Sequence, residues 1–111
     1  MRITQRTVGS ITILDLAGGM TRDDGYGEIR ATVSPLLKQD HTLFLLDLAE
    51  PPYMDSTYVG ELVRAFIAVL NHKGALKLVN FTRRMRTLFE IAQLGHVFEL
   101  FNNEAEALQS F

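Results

Sequence analysis

The sequence predicts an α/β fold with a mostly parallel sheet, and three observations lead there. The run Leu43-Phe44-Leu45-Leu46-Asp47-Leu48 is nearly continuous apolar sequence, the pattern of a strand covered on both faces. Strand-like and helix-like segments alternate along the chain in the order ββαβαβα, followed by a short strand and a last helix, which argues for crossover connections and a layered structure. The chain has 111 residues and is 47% hydrophobic, enough for one domain, residues 1–111, with a substantial core.

Each element has a local signature. Ile11-Thr12-Ile13-Leu14-Asp15-Leu16 is rich in β-branched residues and bounded by Gly9-Ser10 and Gly18-Gly19, so it reads as a strand. Arg2 to Val8 form a preceding strand, with Gly9-Ser10 as the hairpin turn that makes this first pair antiparallel. Thr21 to Asp24 supply candidate caps for a first helix on which Ile29, Val33 and Leu37 recur every fourth residue. Pro35 predicts a kink there, or a restart capped by Ser34, because it lacks an N–H and disfavours helical backbone before it.

The second helix is the clearest element. Val59, Leu62, Val63, Phe66, Ile67 and Leu70 follow the spacing of a single inward face, and Gly74 marks its end. Ala75 to Asn80 read as a strand. Thr82 caps a third helix with Met85, Leu88, Phe89 and Ala92 inward, closing near Gly95. Val97 to Phe101 make a short edge strand, and Asn102 or Asn103 caps a final helix with Ala105, Ala107 and Leu108.

Several function classes fall away at this level. The formal net charge is −2, which removes the electrostatic motive for a nucleic acid or an anionic membrane as main partner. The chain has no cysteine, hence no disulfide framework and no thiolate chemistry, which fits a reducing compartment. No signal-peptide core opens the chain, and no apolar stretch approaches the roughly 20 residues that span a bilayer. A cytoplasmic location is therefore expected. His41, His72 and His96 lie on different predicted elements with no metal-ligand spacing. Asp15, Asp47 and Asp23-Asp24 read as strand ends and caps. No nucleophile elbow, Walker loop or dinucleotide fingerprint is present, so neither an enzyme nor a cofactor is expected. Arg83, Arg84 and Arg86 at a helix start read as a solvated face that opposes the helix dipole by about 0.3–1 kcal/mol per charge at most.

The segment Met54-Asp55-Ser56-Thr57-Tyr58-Val59-Gly60 stands apart. It follows the buried strand directly and places two adjacent hydroxyls in the first turn of a helix. Free backbone N–H groups and the dipole favour an anion at such a place. Asp55 or Ser56 is a natural N-cap, and Ser56 or Thr57 a natural carrier of a phosphate. Taken alone, an Asp-Ser-Thr sequence is more often a plain cap than a regulatory site.

Asp55-Ser56-Thr57 followed by Val59-Gly60, behind a strand ending in Asp47-Leu48, resembles the signature of STAS domains, in particular bacterial anti-sigma factor antagonists. Leu16-Ala17-Gly18-Gly19-Met20-Thr21 is similar to the turn after that family's second strand, Gly74 to Asn80 to the strand after its second helix, and Thr82 to Leu94 with Gly95 to the helix that follows. The resemblance covers almost the whole chain in the correct order. It implies a STAS-like, mostly parallel sheet with an antiparallel N-terminal strand and about four helices.

It also implies a function. In the family, the serine after the motif aspartate is phosphorylated by a serine kinase that is often itself the anti-sigma factor. The unmodified form binds that partner, and a phosphatase resets the switch. The matching position is Ser56, with Thr57 as second choice, and Gly60 matches a close-packed glycine of the first turns. The implied contact surface comprises Tyr53, Met54, Asp55, Ser56, Thr57, Tyr58 and Gly60, flanked by Glu61 and Arg64, with Met54 and Tyr58 as apolar anchors. Glu61 is expected on the same surface, where its charge adds to that of a phosphate. The chain departs from the family in carrying Tyr58 where Gly is common, and Glu50-Pro51-Pro52-Tyr53 ahead of the motif. A second hypothesis is a constitutive STAS subunit docked on the ATPase of a bacterial lipid-transport ABC complex. A sensor holding an anion at the same helix start ranks last.

Overall fold

The computed structural model describes residues 1–94 and 97–111. The expected closure of the third helix near Gly95 and the expected surface position of His96 lie outside the described residues. The elements are β1 (Arg2–Val8), β2 (Ile11–Ala17), α1 (Glu28–Lys38), β3 (Leu43–Asp47), α2 (Ser56–Asn71), β4 (Ala75–Val79), α3 (Arg83–Ile91), β5 (Leu100–Phe101) and α4 (Glu104–Gln109). The sheet runs β1-β2-β3-β4-β5. The first pair is antiparallel and the rest are parallel.

Register follows the apolar pattern. Leu14, Leu46 and Leu78 align across the three central strands, as do Ile13, Leu45 and Lys77. Because side chains alternate along a strand, these two rows face opposite sides of the sheet. On one side, Leu14, Leu16, Phe44, Leu46, Leu76 and Leu78 meet α1, α2 and α3 in the main core. On the other, Ile11, Ile13, Leu45 and Val79 are covered by Ala107, with Leu108 and Phe111 beside it. Two polar anchors hold α4 there. Arg6 bridges Asp15 and Glu104, and Lys77 Nζ donates to the Ser110 carbonyl at 2.8 Å with the Phe111 ring 4.6 Å away.

Two expectations about α1 need correction. It starts at Glu28 rather than near Thr21 to Asp24, because Gly25 and Gly27 adopt φ of +87° and +84°, which no right-handed helix accommodates. Thr21 and Asp24 instead close a tight turn by pairing their own backbone groups at 2.9 and 3.2 Å. Nor does α1 restart at Pro35. It runs unbroken through it, since Ala31, whose carbonyl loses the proline's donor, is on the exposed side and open to water.

Candidate functional site

At the C-terminal ends of β2 and β3, the two loops that follow are tied together. Asp55 is the joint. Its N–H donates to the Met20 carbonyl at 3.1 Å, its Oδ1 accepts the Tyr58 N–H at 2.9 Å, and its Oδ2 accepts the Arg22 N–H at 3.1 Å. One carboxylate thus caps α2 and fixes the β2–α1 loop to it. Both oxygens are engaged by backbone, so its role in the fold is structural. Ser56 and Thr57, the first two residues of α2, are exposed, as is Tyr53 at 49%, while Met54 is half-buried.

Tyr58 is not a surface anchor. Its side chain is fully buried, its hydroxyl donates to the Gly25 carbonyl at 2.9 Å, and the Met1 sulfur lies 3.3 Å from the same oxygen. Burial pushes the phenol's pKa well above its ordinary 10.0, helped by the nearby carboxylates of Glu61, Glu28 and Asp24. Glu61 also departs from expectation. It is fully buried, with Oε1 accepting from Arg30 Nε at 2.7 Å; Arg64 Nη1 is 3.9 Å from Oε2, which has no hydrogen bond. Its charge is matched inside the protein and does not add to the Ser56 surface. The Glu61 contact raises the Arg30 pKa.

Helical geometry explains both corrections. The face of α2 turned to the core is Tyr58, Val59, Glu61, Leu62, Ala65 and Val69. The outward face carries Ser56, Ile67 and Leu70, the last two 50% and 49% exposed although the sequence placed them inward; Gly60 and Val63 between them are half-buried, and Val63 packs against the main core as expected. The helix carries apolar residues over too wide an arc for all of them to be covered.

Gly60 differs from the close-packed glycine that the resemblance implies. A Cβ there would meet only Arg64 Nη1, at 4.0 Å. Nothing in this chain requires the missing side chain, although a glycine inside a helix costs about 0.5–1 kcal/mol relative to alanine. Arg64 is exposed and donates to the Tyr26 hydroxyl at 3.2 Å. Tyr26, Arg22 and Arg30 are parts of the site that sequence reasoning missed, because they come from the loop and helix before β3. Arg83, Arg84 and Arg86 are exposed, and Arg86 lies over the Phe81 ring at 4.5 Å. His41 and His72 are exposed. Among the described residues, no helix is long and apolar enough to cross a membrane.

A parallel sheet with an antiparallel first strand, layered helices, and a capped helix with an exposed serine in its first turn define a small α/β domain. The STAS domain family is matched over residues 2–107, and the chain belongs to it. An anti-sigma-B factor antagonist of Listeria monocytogenes is 34% identical over 88 residues, spanning 72% of this chain and 77% of that protein. The Bacillus anti-sigma factor antagonist SpoIIAA in its unphosphorylated form has the same fold, with a TM-score of 0.82 at 22% identity over 98% of this chain and 95% of that one. The fold also occurs inside a murine solute carrier 26 family anion transporter, with a TM-score of 0.73 at 13% identity over 94% of this chain and 18% of that one.

Proposed function

We propose that this protein is a phosphorylation-controlled binding switch of the anti-sigma factor antagonist kind, acting in the cytoplasm without catalysing a reaction itself. With Ser56 unmodified it binds a serine kinase that serves as anti-sigma factor; phosphorylation releases it, and a phosphatase resets it. Thr57 is the second-choice acceptor. The partner-facing set is Tyr53, Met54, Ser56, Thr57, Gly60 and Arg64, extended along α2 to Ile67 and Leu70. Asp55 shapes this set from beneath.

The observation that carries this reading is the pairing of an exposed Ser56 with a Gly60 that the fold does not need. Bare backbone one turn from the hydroxyl gives a partner close access to the helix. The relatives named anti-sigma-B factor antagonists support the same conclusion. A phosphate adds roughly −1.5 to −2 charges at neutral pH, so a partner surface fitted to a hydroxyl meets repulsion and an uncompensated desolvation cost.

The test begins with phosphosite mass spectrometry on protein from its native cells, at rest and under stress, together with the proteins that co-purify. Ser56 phosphate that varies with condition is expected. Calorimetry with the co-purified kinase then compares Ser56→Ala, expected to bind, with Ser56→Asp, expected to bind weakly. Equal binding by the two removes Ser56 as the switch. An unmodified Ser56 under every condition, with a transporter ATPase as stable companion, replaces this reading with the constitutive subunit.

A further inference from the structure

We infer that Arg64 is the built-in counter-cation for a phosphate on Ser56, and that it exchanges the Tyr26 hydroxyl for that phosphate when it is present. The inference rests on the reading of Ser56 as phosphoacceptor and adds how the modified state is held.

Ser56, Gly60 and Arg64 succeed one another at intervals of four along α2, so they share one face. Side chains on a helix lean toward its N-terminus, which directs Arg64 back over the preceding turn. Its Nη1 indeed lies 4.0 Å from the point that a Cβ on Gly60 would occupy. Residues four apart on a helix have side-chain roots about 5–6 Å from each other. The Arg64 guanidinium thus sits one helical turn from Ser56 on the same face, and no other side chain comes within 4 Å of the Gly60 Cβ position that separates them along the helix.

The present contacts of Arg64 are weak enough to give up. The side chain is 54% exposed. Its hydrogen bond goes to the neutral Tyr26 hydroxyl at 3.2 Å, and its distance to Glu61 Oε2, 3.9 Å, is too long for one. Glu61 keeps its closer partner, Arg30 Nε at 2.7 Å, when Arg64 leaves. A phosphate dianion offers the guanidinium a pair of charge-assisted hydrogen bonds, which are roughly twice as strong as neutral ones. The need for a cation is local as well, since a phosphate on Ser56 sits directly after the Asp55 carboxylate.

One consequence follows for the switch. Phosphorylation withdraws an exposed arginine from the partner-facing surface by pairing it internally, so the surface loses a cation as well as gaining the phosphate.

The experiment uses the full chain with phosphoserine inserted at position 56 during synthesis, so it does not depend on finding the kinase. Phosphorus NMR follows the phosphate through its second ionisation, ordinarily near pH 6, in the parent, in Arg64→Gln and in Arg22→Gln. Arg22 is the competing cation because its backbone also touches the motif, through Asp55. The parent is expected to ionise at lower pH than Arg64→Gln by about half a pH unit or more, as loss of a neighbouring cation requires, with a smaller displacement in Arg22→Gln. Coincident titrations of parent and Arg64→Gln, or a displacement in Arg22→Gln as large as that in Arg64→Gln, overturn the inference. Because the phosphate is installed by synthesis, either failure leaves the phosphoacceptor reading intact. That reading falls instead if Ser56 is never modified in cells.

Discussion

Replacing Tyr58 with phenylalanine isolates one hydrogen bond. The ring, fully buried, stays in place. What is lost is the donor to the Gly25 carbonyl at 2.9 Å; that oxygen keeps the Glu28 N–H at 3.1 Å, so it is not left without a partner. A net hydrogen bond contributes about 0.5–1.5 kcal/mol. For 111 residues, an unfolding entropy of about 2.1 cal/mol/K per residue turns each kcal/mol into roughly 4 °C, so Tyr58→Phe is expected to lower Tm by about 2–6 °C. Urea unfolding followed by circular dichroism measures the same loss as a lower midpoint with unchanged slope. Tyr53→Phe, at a site 49% exposed, is the control and is expected to match the parent. The pH dependence has a definite sign. Burial raises the Tyr58 pKa above 10.0, so the protonated phenol is favoured by folding. Its contribution is complete below about pH 10, where the unfolded chain is also protonated, and is lost as pH rises above 10 toward the folded value. The gap between parent and Tyr58→Phe should therefore narrow above pH 10. Equal stability of the two proteins at pH 7 would show that Tyr58 does not lock the loop to the helix.

Further substitutions have definite expected outcomes. Gly60→Ala is neutral or stabilising by up to about 1 kcal/mol in urea unfolding, since the added methyl meets open space and alanine is the better helix former. Gly74→Ala destabilises by about 1–3 kcal/mol in the same measurement, because its Cβ is driven into the Thr42 carbonyl and the Val69 side chain. Arg30→Gln costs about 1–3 kcal/mol, more than an exposed ion pair, because Glu61 then remains buried with Arg64 at 3.9 Å as its nearest cation; Glu61→Gln, which removes the buried charge itself, should cost less. Arg6→Ala changes global stability by no more than about 1 kcal/mol, the arginine being 41% exposed, yet speeds amide exchange in α4, which loses its Glu104 anchor.

The sequence made the sheet and the helix starts legible because those signals are local. Leu43 to Leu48 declare a strand covered on both sides, and Asp55, Thr82 and Asn103 cap their helices by accepting N–H groups only three residues on. The start of α1 was misplaced because Thr21 and Asp24 look like caps, and only the left-handed backbone of Gly25 and Gly27 moves the helix to Glu28. Tyr58 and Glu61 were assigned to the surface for a different reason. Polar groups go inside only when a partner meets them, and those partners, the Gly25 carbonyl and Arg30, lie 33 and 31 residues away in sequence. The converse error put Ile67 and Leu70 in the core. Hydrophobic spacing says which side chains share a face of a helix but not where cover by neighbouring elements ends.

The tyrosine that departs from the family pattern bears on the proposed switch in a way its position alone does not suggest. Beside a phosphoacceptor, a large aromatic side chain is expected to obstruct an approaching kinase. In this fold Tyr58 turns away from Ser56 and into the protein, where it joins the first turns of α2 to the loop at Gly25. The same loop is held again by Asp55 through Arg22 and Met20. The surface around Ser56 therefore keeps the low relief that a small residue at position 58 would give, and its underside is tied down at two points rather than one. Under the proposed function, a partner meets a preformed helix start and orders less of it on binding. Tyr58→Gly, the change toward the family's common residue, is accordingly expected to weaken folding by about 4 kcal/mol or more, the loss of a buried aromatic plus a helical glycine, without enlarging the exposed area at Ser56. If the variant folds and binds the kinase more tightly than the parent, Tyr58 acts as a steric gate and the account of an inward-facing lock fails.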